Sequence, residues 1–280
     1  MLVPACFFML SPRIIAPVIP RPQIPYSFMR CKATVSLPCR MNMNDLTQHK
    51  LELSDKGFTV IRNVFSPAEI AAMLQAIEKA DSSGNAFRKT ADLFAIRRFL
   101  KVVPDMVPLV FTPAFNGIIH QLLGKDYSPV KSIYFDKPGA SNWFVAYHQD
   151  LTISVDKKAE LAGFGPWSVK GEQYAVQPPR DLLESNGTFR IHLDDTDAGN
   201  GALRVVPGSH RKGVYRPETI DWTKEKEETC AVPAGGVMVM RPLLLHASGR
   251  TTNDRKRRVI HIECSNRHLP EPLRWSEKLS

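Results

Sequence analysis

The apolar positions of this chain change period part-way along it. Ile70, Leu74 and Ile77 repeat at i, i+4 and i+7, which predicts an amphipathic helix reaching about Asp81. Its start is marked three times: Ser66 suits the N-cap, Pro67 the first helical position, and Glu69 closes a capping box. Just before it, Gly57-Phe58-Thr59-Val60-Ile61 is rich in β-branched residues and predicts a strand, with folding expected to begin near Leu46. A second helix is expected over Pro113–Leu123, stopped by Gly124. From Ser132 onward the pattern becomes short β-like runs separated by Gly, Pro, Asn and Asp. These cover 132–135, 143–148, 188–194, 202–206, 236–240, 243–248 and 258–263. Helices first and many short strands afterwards predict a mainly β chain: a double-stranded β-helix (jelly roll, cupin-like) with flanking N-terminal helices.

Residues 1–44 fit neither pattern. They hold Pro4, Pro12, Pro17, Pro20, Pro22, Pro25 and Pro38, and no helical or strand period. Their lack of acidic residues hints at a transit peptide, but the prolines would break the amphipathic helix such a peptide needs. The expected organisation is a disordered leader, or an upstream start, over 1–44, followed by one jelly-roll domain over 45–280. The leader also changes the meaning of the net charge of +9, because Arg13, Arg21, Arg30, Lys32 and Arg40 supply five of those charges. What remains is too mildly basic to argue for nucleic acid, and agrees as well with a positive pocket for a small anionic substrate. Apolar runs fall short of the roughly 18 residues that cross a bilayer, so no membrane partner is expected. Five cysteines without C-x-x-C spacing argue for a reducing, cytoplasmic setting rather than a disulfide framework.

Against this background three polar clusters stand out. His148-Gln149-Asp150 places an imidazole and a carboxylate at i and i+2, on one face of a strand. Taken alone, this pair reads more readily as a surface strand whose His and Asp hydrogen-bond one another. His246 ends the apolar run Leu243-Leu244-Leu245, with Ser248 on its face; a histidine there is ordinarily a core residue, but the small polar neighbour favours a site. Together His148, Asp150 and His246 would make a 2-His-1-carboxylate set that leaves three metal positions open, the arrangement that suits non-haem Fe(II). The third cluster, Arg255-Lys256-Arg257-Arg258, runs straight into Val259-Ile260-His261-Ile262. Strand alternation sends either Arg257 or Arg258 inward, where a lone charge is costly and a carboxylate is an apt partner. In 188–194, Phe189, Ile191 and Leu193 alternate with Arg190, His192 and Asp194, leaving Arg190 either lining a pocket or on the surface. The stretch 151–181, with Trp167, Tyr174, Gln177 and two consecutive prolines, is expected to form an ordered cover.

The H-Q-D motif, Asn200-Gly201-Ala202-Leu203-Arg204-Val205-Val206-Pro207-Gly208-Ser209-His210, and His246-Ala247-Ser248-Gly249 together resemble the phytanoyl-CoA dioxygenase family. The resemblance spans roughly residues 57–268. It implies an Fe(2+)- and 2-oxoglutarate-dependent dioxygenase that consumes O2, releases succinate and CO2, and hydroxylates a small molecule. His148, Asp150 and His246 would bind iron. Arg257, eleven residues past the distal histidine, would take the co-substrate carboxylate in preference to Arg258, with Gln149 and Ser248 assisting. His210 and the turn before it are expected to be structural. Candidate substrate contacts are Trp167, Arg190 and Tyr134. The chain departs from the best-known members in offering no evident acyl-CoA site and in ending Lys-Leu-Ser rather than Ser-Lys-Leu. A halogenase is disfavoured because Asp150 fills the position a halide needs. The rival readings are a non-catalytic metal- or small-molecule-binding jelly roll, and a cupin-like isomerase or hydrolase without 2-oxoglutarate. A monomer or homodimer is expected.

Overall fold

Local sequence signals set the helical half of the fold. The computed structural model describes residues 46–80, 87–89, 94–139, 141–170 and 173–278, and the expected leader lies outside them. These residues belong to one compact unit, Arg40–Ser280. The chain opens with α1 (Thr47–Asp55), β1 (Phe58–Ile61) and α2 (Pro67–Glu78). α2 carries the capping box its sequence predicts: Ser66 Oγ accepts from the Glu69 N–H at 3.3 Å, and the Ser66 N–H donates to Glu69 Oε2 at 2.7 Å. Ser66→Ala is expected to cost about 1 kcal/mol through the loss of that cap, seen as a lower melting temperature with unchanged activity.

Next come β2 (Phe87–Lys89), β3 (Phe94–Arg97), α3 (Phe99–Val102), α4 (Met106–Val110) and α5 (Pro113–Leu123). α5 has the predicted bounds: Thr112 caps it, Pro113 opens it, and Gly124 leaves at φ +112°. Strands then dominate: β4 (Ser128–Lys137), β5 (Val145–His148), β6 (Ile153–Val155), β7 (Trp167–Lys170) and β8 (Gln173–Val176). After α6 (Arg180–Glu184) come β9 (Gly187–His192), β10 (Leu203–Val205), β11 (Glu228–Cys230), β12 (Val237–Met240), β13 (His246–Ser248) and β14 (Arg257–Ser265).

All strand pairings are antiparallel. A seven-stranded sheet runs β1-β12-β9-β14-β4-β3-β2, and a four-stranded sheet runs β11-β10-β13-β5. Alternation assigns the two faces of the larger sheet. Tyr134, Phe189, Ile191, Val237, Val239, Ile260 and Ile262 pack outward against apolar residues of α2 and α5. At the other face Phe58, Met238 and Met240 meet Leu203, Val205 and Cys230 of the smaller sheet. That two-sheet sandwich is the jelly roll the sequence predicts, with its helices on the outer face.

The expected cover over 151–181 is ordered as a third sheet, β6-β8-β7, which the sequence reading did not resolve into strands. The expected strand over 243–248 shrinks to His246–Ser248. Pro242 and Leu243 form a turn closed by the Leu244 N–H to the Arg241 carbonyl at 3.1 Å. Leu243 and Leu244 are still buried, but in two different cores, which explains an apolar run that is not a strand. Among the described residues no helix is long and apolar enough to cross a membrane.

Candidate active site

β5 and β13 lie side by side with His148 directly opposite His246. Their imidazoles sit with centroids 4.2 Å apart. Each Nδ1 lies 2.9 Å from a backbone carbonyl two residues upstream, Ala146 for His148 and Leu244 for His246. A carbonyl only accepts, so each Nδ1 carries the proton and each Nε2 presents its lone pair. Asp150 lies just past the end of β5, held by its N–H to the Pro242 carbonyl at 2.9 Å. Its Oδ2 is buried with no hydrogen-bond partner and stands 3.9 Å from His246 Nε2. Donor atoms of the three residues lie within 4.8 Å of one another.

The protonation states suit ligation. Burial pushes His246 down to about 4, against the pull of Asp150, and keeps it neutral near pH 7. Burial would raise Asp150, but the attraction of its neighbours, His246 first and then His261 and Lys131, outweighs it and holds the carboxyl well below the usual carboxylate range, so it stays ionised. Two imidazoles that each present Nε2, one of them kept neutral by burial, and an orphaned carboxylate oxygen fit a divalent cation of the iron type.

Strand alternation on β14 decides between the two arginines. Arg258 points away, donating to Asp194 through Nε and Nη2 at 2.8 and 2.7 Å. Arg257 points in and is buried; its Nη1 donates to the Gly201 carbonyl, while its Nε has no partner. Burial and the nearby Arg190 lower it to about 9, which still leaves it charged at neutral pH. Among the described residues no acidic side chain pairs with it, which leaves a buried guanidinium able to take a carboxylate. Ser248 Oγ donates to the same Gly201 carbonyl at 2.9 Å. Gly201 has φ +86°, and a Cβ there would come within 2.8 Å of Lys137 Nζ and the Gly249 carbonyl, so the Asn-Gly pair shapes this end of the site.

A cavity of about 430 Å³ joins these groups, lined by His148, Asp150, His246, Ser248, Arg257 and Arg190, among others. Arg190 is thus a pocket residue, not a surface one. The cover contributes Ser154 and Gln173, while Trp167 lies outside the lining and packs on the core of the small sheet. Tyr134 also lies outside it: on β4 the inward residues are Lys131, Ile133 and Phe135, and Tyr134 stacks on Phe99 in the helical core. Gln149 reaches the cavity wall, but its amide is committed to backbone. It donates to the Gly213 and Leu243 carbonyls at 2.9 and 2.6 Å and accepts from the Tyr215 N–H at 2.8 Å. His210 lies outside this cavity: its Nε2 is 3.1 Å from the Ser54 carbonyl and its ring covers Gly57.

The sequence reading missed Lys131, His261 and Glu263. Counting by twos along β14 from Arg257 reaches both His261 and Glu263, so the signal was present. Asp150, His261 and Glu263 also bring three donor atoms together, but Lys131 already binds Glu263 at 2.6 Å and Arg190 lies 3.1 Å from His261, which disfavours a second cation there.

Acid is expected to unfold the metal-free protein. His246 and His192 are both held below 6.5 by burial, so the folded state binds fewer protons than the unfolded one. The stability they contribute is present above pH 6.5 and lost as pH falls toward about 4. Glu277, raised to about 7 by burial, acts oppositely: its contribution is present below about 4.5 and lost as pH rises through 7. His210, also lowered by burial, adds to the histidines, and Asp136, also raised by burial, adds to Glu277. Three groups outweigh two, so the melting temperature should fall from pH 6.5 to 4.5, and fall more steeply in Glu277→Gln. A flat profile over that range would contradict this balance.

The model of the family described as "Phytanoyl-CoA dioxygenase (PhyH)" matches residues 53–259. The chain belongs to the phytanoyl-CoA dioxygenase family. Ectoine dioxygenase of Bordetella parapertussis is 26% identical over 164 residues, which is 56% of this chain and 46% of that protein. The chain therefore spans less than half the length of that curated relative. Among solved structures, EctD from S. alaskensis with bound Fe superposes with a TM-score of 0.61 at 17% identity, covering 78% of this chain and 76% of that one. EvdO2 from Micromonospora carbonacea var. aurantiaca, complexed with 2-oxoglutarate, gives 0.55 at 18% identity, covering 81% and 94%. Both likenesses concern the fold.

Proposed function

We propose that this member of the phytanoyl-CoA dioxygenase family is an Fe(II)- and 2-oxoglutarate-dependent dioxygenase that hydroxylates a small molecule. The observation that carries the reading is the pairing, in one cavity, of the His148–Asp150–His246 donor set with a buried Arg257 that has no acidic partner. A cupin-like isomerase or hydrolase leaves Arg257 unexplained, and oxygen-dependent succinate production separates the oxygenase from a non-catalytic binding module.

In this reading His148 Nε2, Asp150 Oδ2 and His246 Nε2 hold iron, while Arg257 and Ser248 receive the distal carboxylate of 2-oxoglutarate. Bound together, iron and 2-oxoglutarate supply oxidation by O2 with release of succinate and CO2. The chain's own share is positioning. Nδ1–H bonds to backbone fix both imidazoles, and the Gly201 carbonyl aims Arg257 and Ser248 at one point. Gln149 ties the Gly213–Tyr215 backbone to the Leu243 turn behind the metal ligands, a supporting role in place of direct co-substrate contact. The β6-β8-β7 cover limits water access through Ser154 and Gln173. Arg190, Lys131 and Arg257 make the cavity positive and favour an anionic substrate. Cys230 and Cys264, buried and unpaired, suit a reducing cytoplasm.

Anaerobic addition of Fe(II) and 2-oxoglutarate should produce a visible charge-transfer absorption, and O2 should then yield succinate. No absorption, or the same absorption in His148→Ala, would sink the reading.

A further inference from the structure

One buried network in the cavity has no task in the chemistry above. Arg190 Nη1 on β9 lies 3.1 Å from His261 Nδ1 on β14. His261 Nε2 lies 3.3 Å from Glu263 Oε1, and Lys131 Nζ on β4 reaches that same oxygen at 2.6 Å. The direction of these bonds follows from the donors. A guanidinium cannot accept, so His261 Nδ1 must, and its proton sits on Nε2 and is donated to Glu263. His261 is therefore neutral. It fixes Arg190 in place without offsetting its charge.

Arg190 is only 7% exposed, yet it lines the cavity and its Nε is buried without a partner. Burial lowers its pKa only to about 10, so it remains a cation. Charge balance shows what is missing. The two charges of Fe(II) would cancel those of Asp150 and of the 2-oxoglutarate carboxylate at the metal. Glu263 offsets Lys131, and the second 2-oxoglutarate carboxylate would offset Arg257, the first of the two buried arginines. The other stays uncompensated, at a cost that a fold bears for a ligand rather than for itself. Ile133, Phe135, Trp143 and Val145 give the same cavity an apolar wall.

We propose that Arg190, braced by the His261–Glu263–Lys131 chain, is the receptor for a carboxylate on the substrate, which is a small monocarboxylic acid with an apolar body. This rests on the oxygenase reading, in which Arg257 is taken by 2-oxoglutarate. Arg190 is then a specificity-determining residue, and His261 acts through it as a positioning residue.

The test titrates the protein by calorimetry with phenylacetate and hexanoate and with their primary amides. It is run on metal-free protein and again with redox-inert Zn(II) and saturating 2-oxoglutarate. The acids should bind at least about 30-fold more tightly than the amides, and Arg190→Gln and Arg190→Met should abolish that preference. Both variants should keep the Fe(II)–2-oxoglutarate absorption of the parent at the same 2-oxoglutarate concentration. Metal-free Arg190→Met should remain folded and melt within a few degrees of the parent, because the buried charge it removes is offset by the loss of its attraction to Asp150 and its bond to His261. Acid and amide responding alike, including no response to either, overturns the proposal. So does a weaker hold on 2-oxoglutarate in Arg190→Gln, which would assign Arg190 to the co-substrate. Loss of the cooperative fold in Arg190→Met would make the residue structural and overturn it too. Absence of the absorption in the parent protein counts instead against the oxygenase reading, and is read separately.

Discussion

Asp150→Ala is expected to leave a folded protein whose oxygen-dependent succinate formation has fallen at least about a thousand-fold. The backbone bond that places residue 150, its N–H to the Pro242 carbonyl, does not involve the side chain. The carboxylate oxygen nearest His246 has no hydrogen-bond partner to lose. Its removal takes a buried negative charge away from Arg190 and Lys131, but Lys131 keeps Glu263 as its partner, so metal-free protein should stay folded with a melting temperature lower by a few degrees. Succinate quantification, metal analysis and thermal melting on one preparation separate the outcomes. Retained succinate formation would mean that Asp150 is not a ligand. Collapse of the fold would mean that the carboxylate is structural.

Arg257→Gln is the second large effect. It should raise the 2-oxoglutarate concentration needed for half-maximal turnover at least about a hundred-fold, with iron content unchanged. Arg257→Lys should recover only part of this. An ammonium is a point charge and cannot reproduce a planar fork that donates to the Gly201 carbonyl through one arm and to a carboxylate through the others. The split matters: a loss of iron together with 2-oxoglutarate would show that the substitution disturbs β14 as a whole. Unchanged 2-oxoglutarate dependence would remove the case for a dicarboxylate partner.

What could be read without coordinates follows the range of the interactions concerned. Ser66-Pro67-Ala68-Glu69 and Pro113 to Gly124 are legible because a cap and a stop act within one turn. The inward turn of Arg257 was legible because a strand has a fixed parity, although choosing it over Arg258 needed the family resemblance. The same parity would have reached His261 and Glu263. Tyr134 was misplaced because its strand's inward residues depend on which of two apolar sets faces the helices, and Ile133 and Phe135 are apolar too. The sheet β6-β8-β7 stayed hidden for another reason. Its order comes from pairings across an interrupted loop, and no residue in 151–181 announces its partner.

The register of β5 and β13 has a mechanical consequence. β5 is the last strand of its sheet, joined to β13 by a pairing that slips between His246 and Ser248. In the proposed site, His148 and His246 would hold one cation from neighbouring strands, so the metal would act as a rivet across an irregular seam at the edge of the sheet. Without it that border would open more readily than the seven-stranded wall behind it, and amide exchange along residues 145–148 would register whether the rivet is in place.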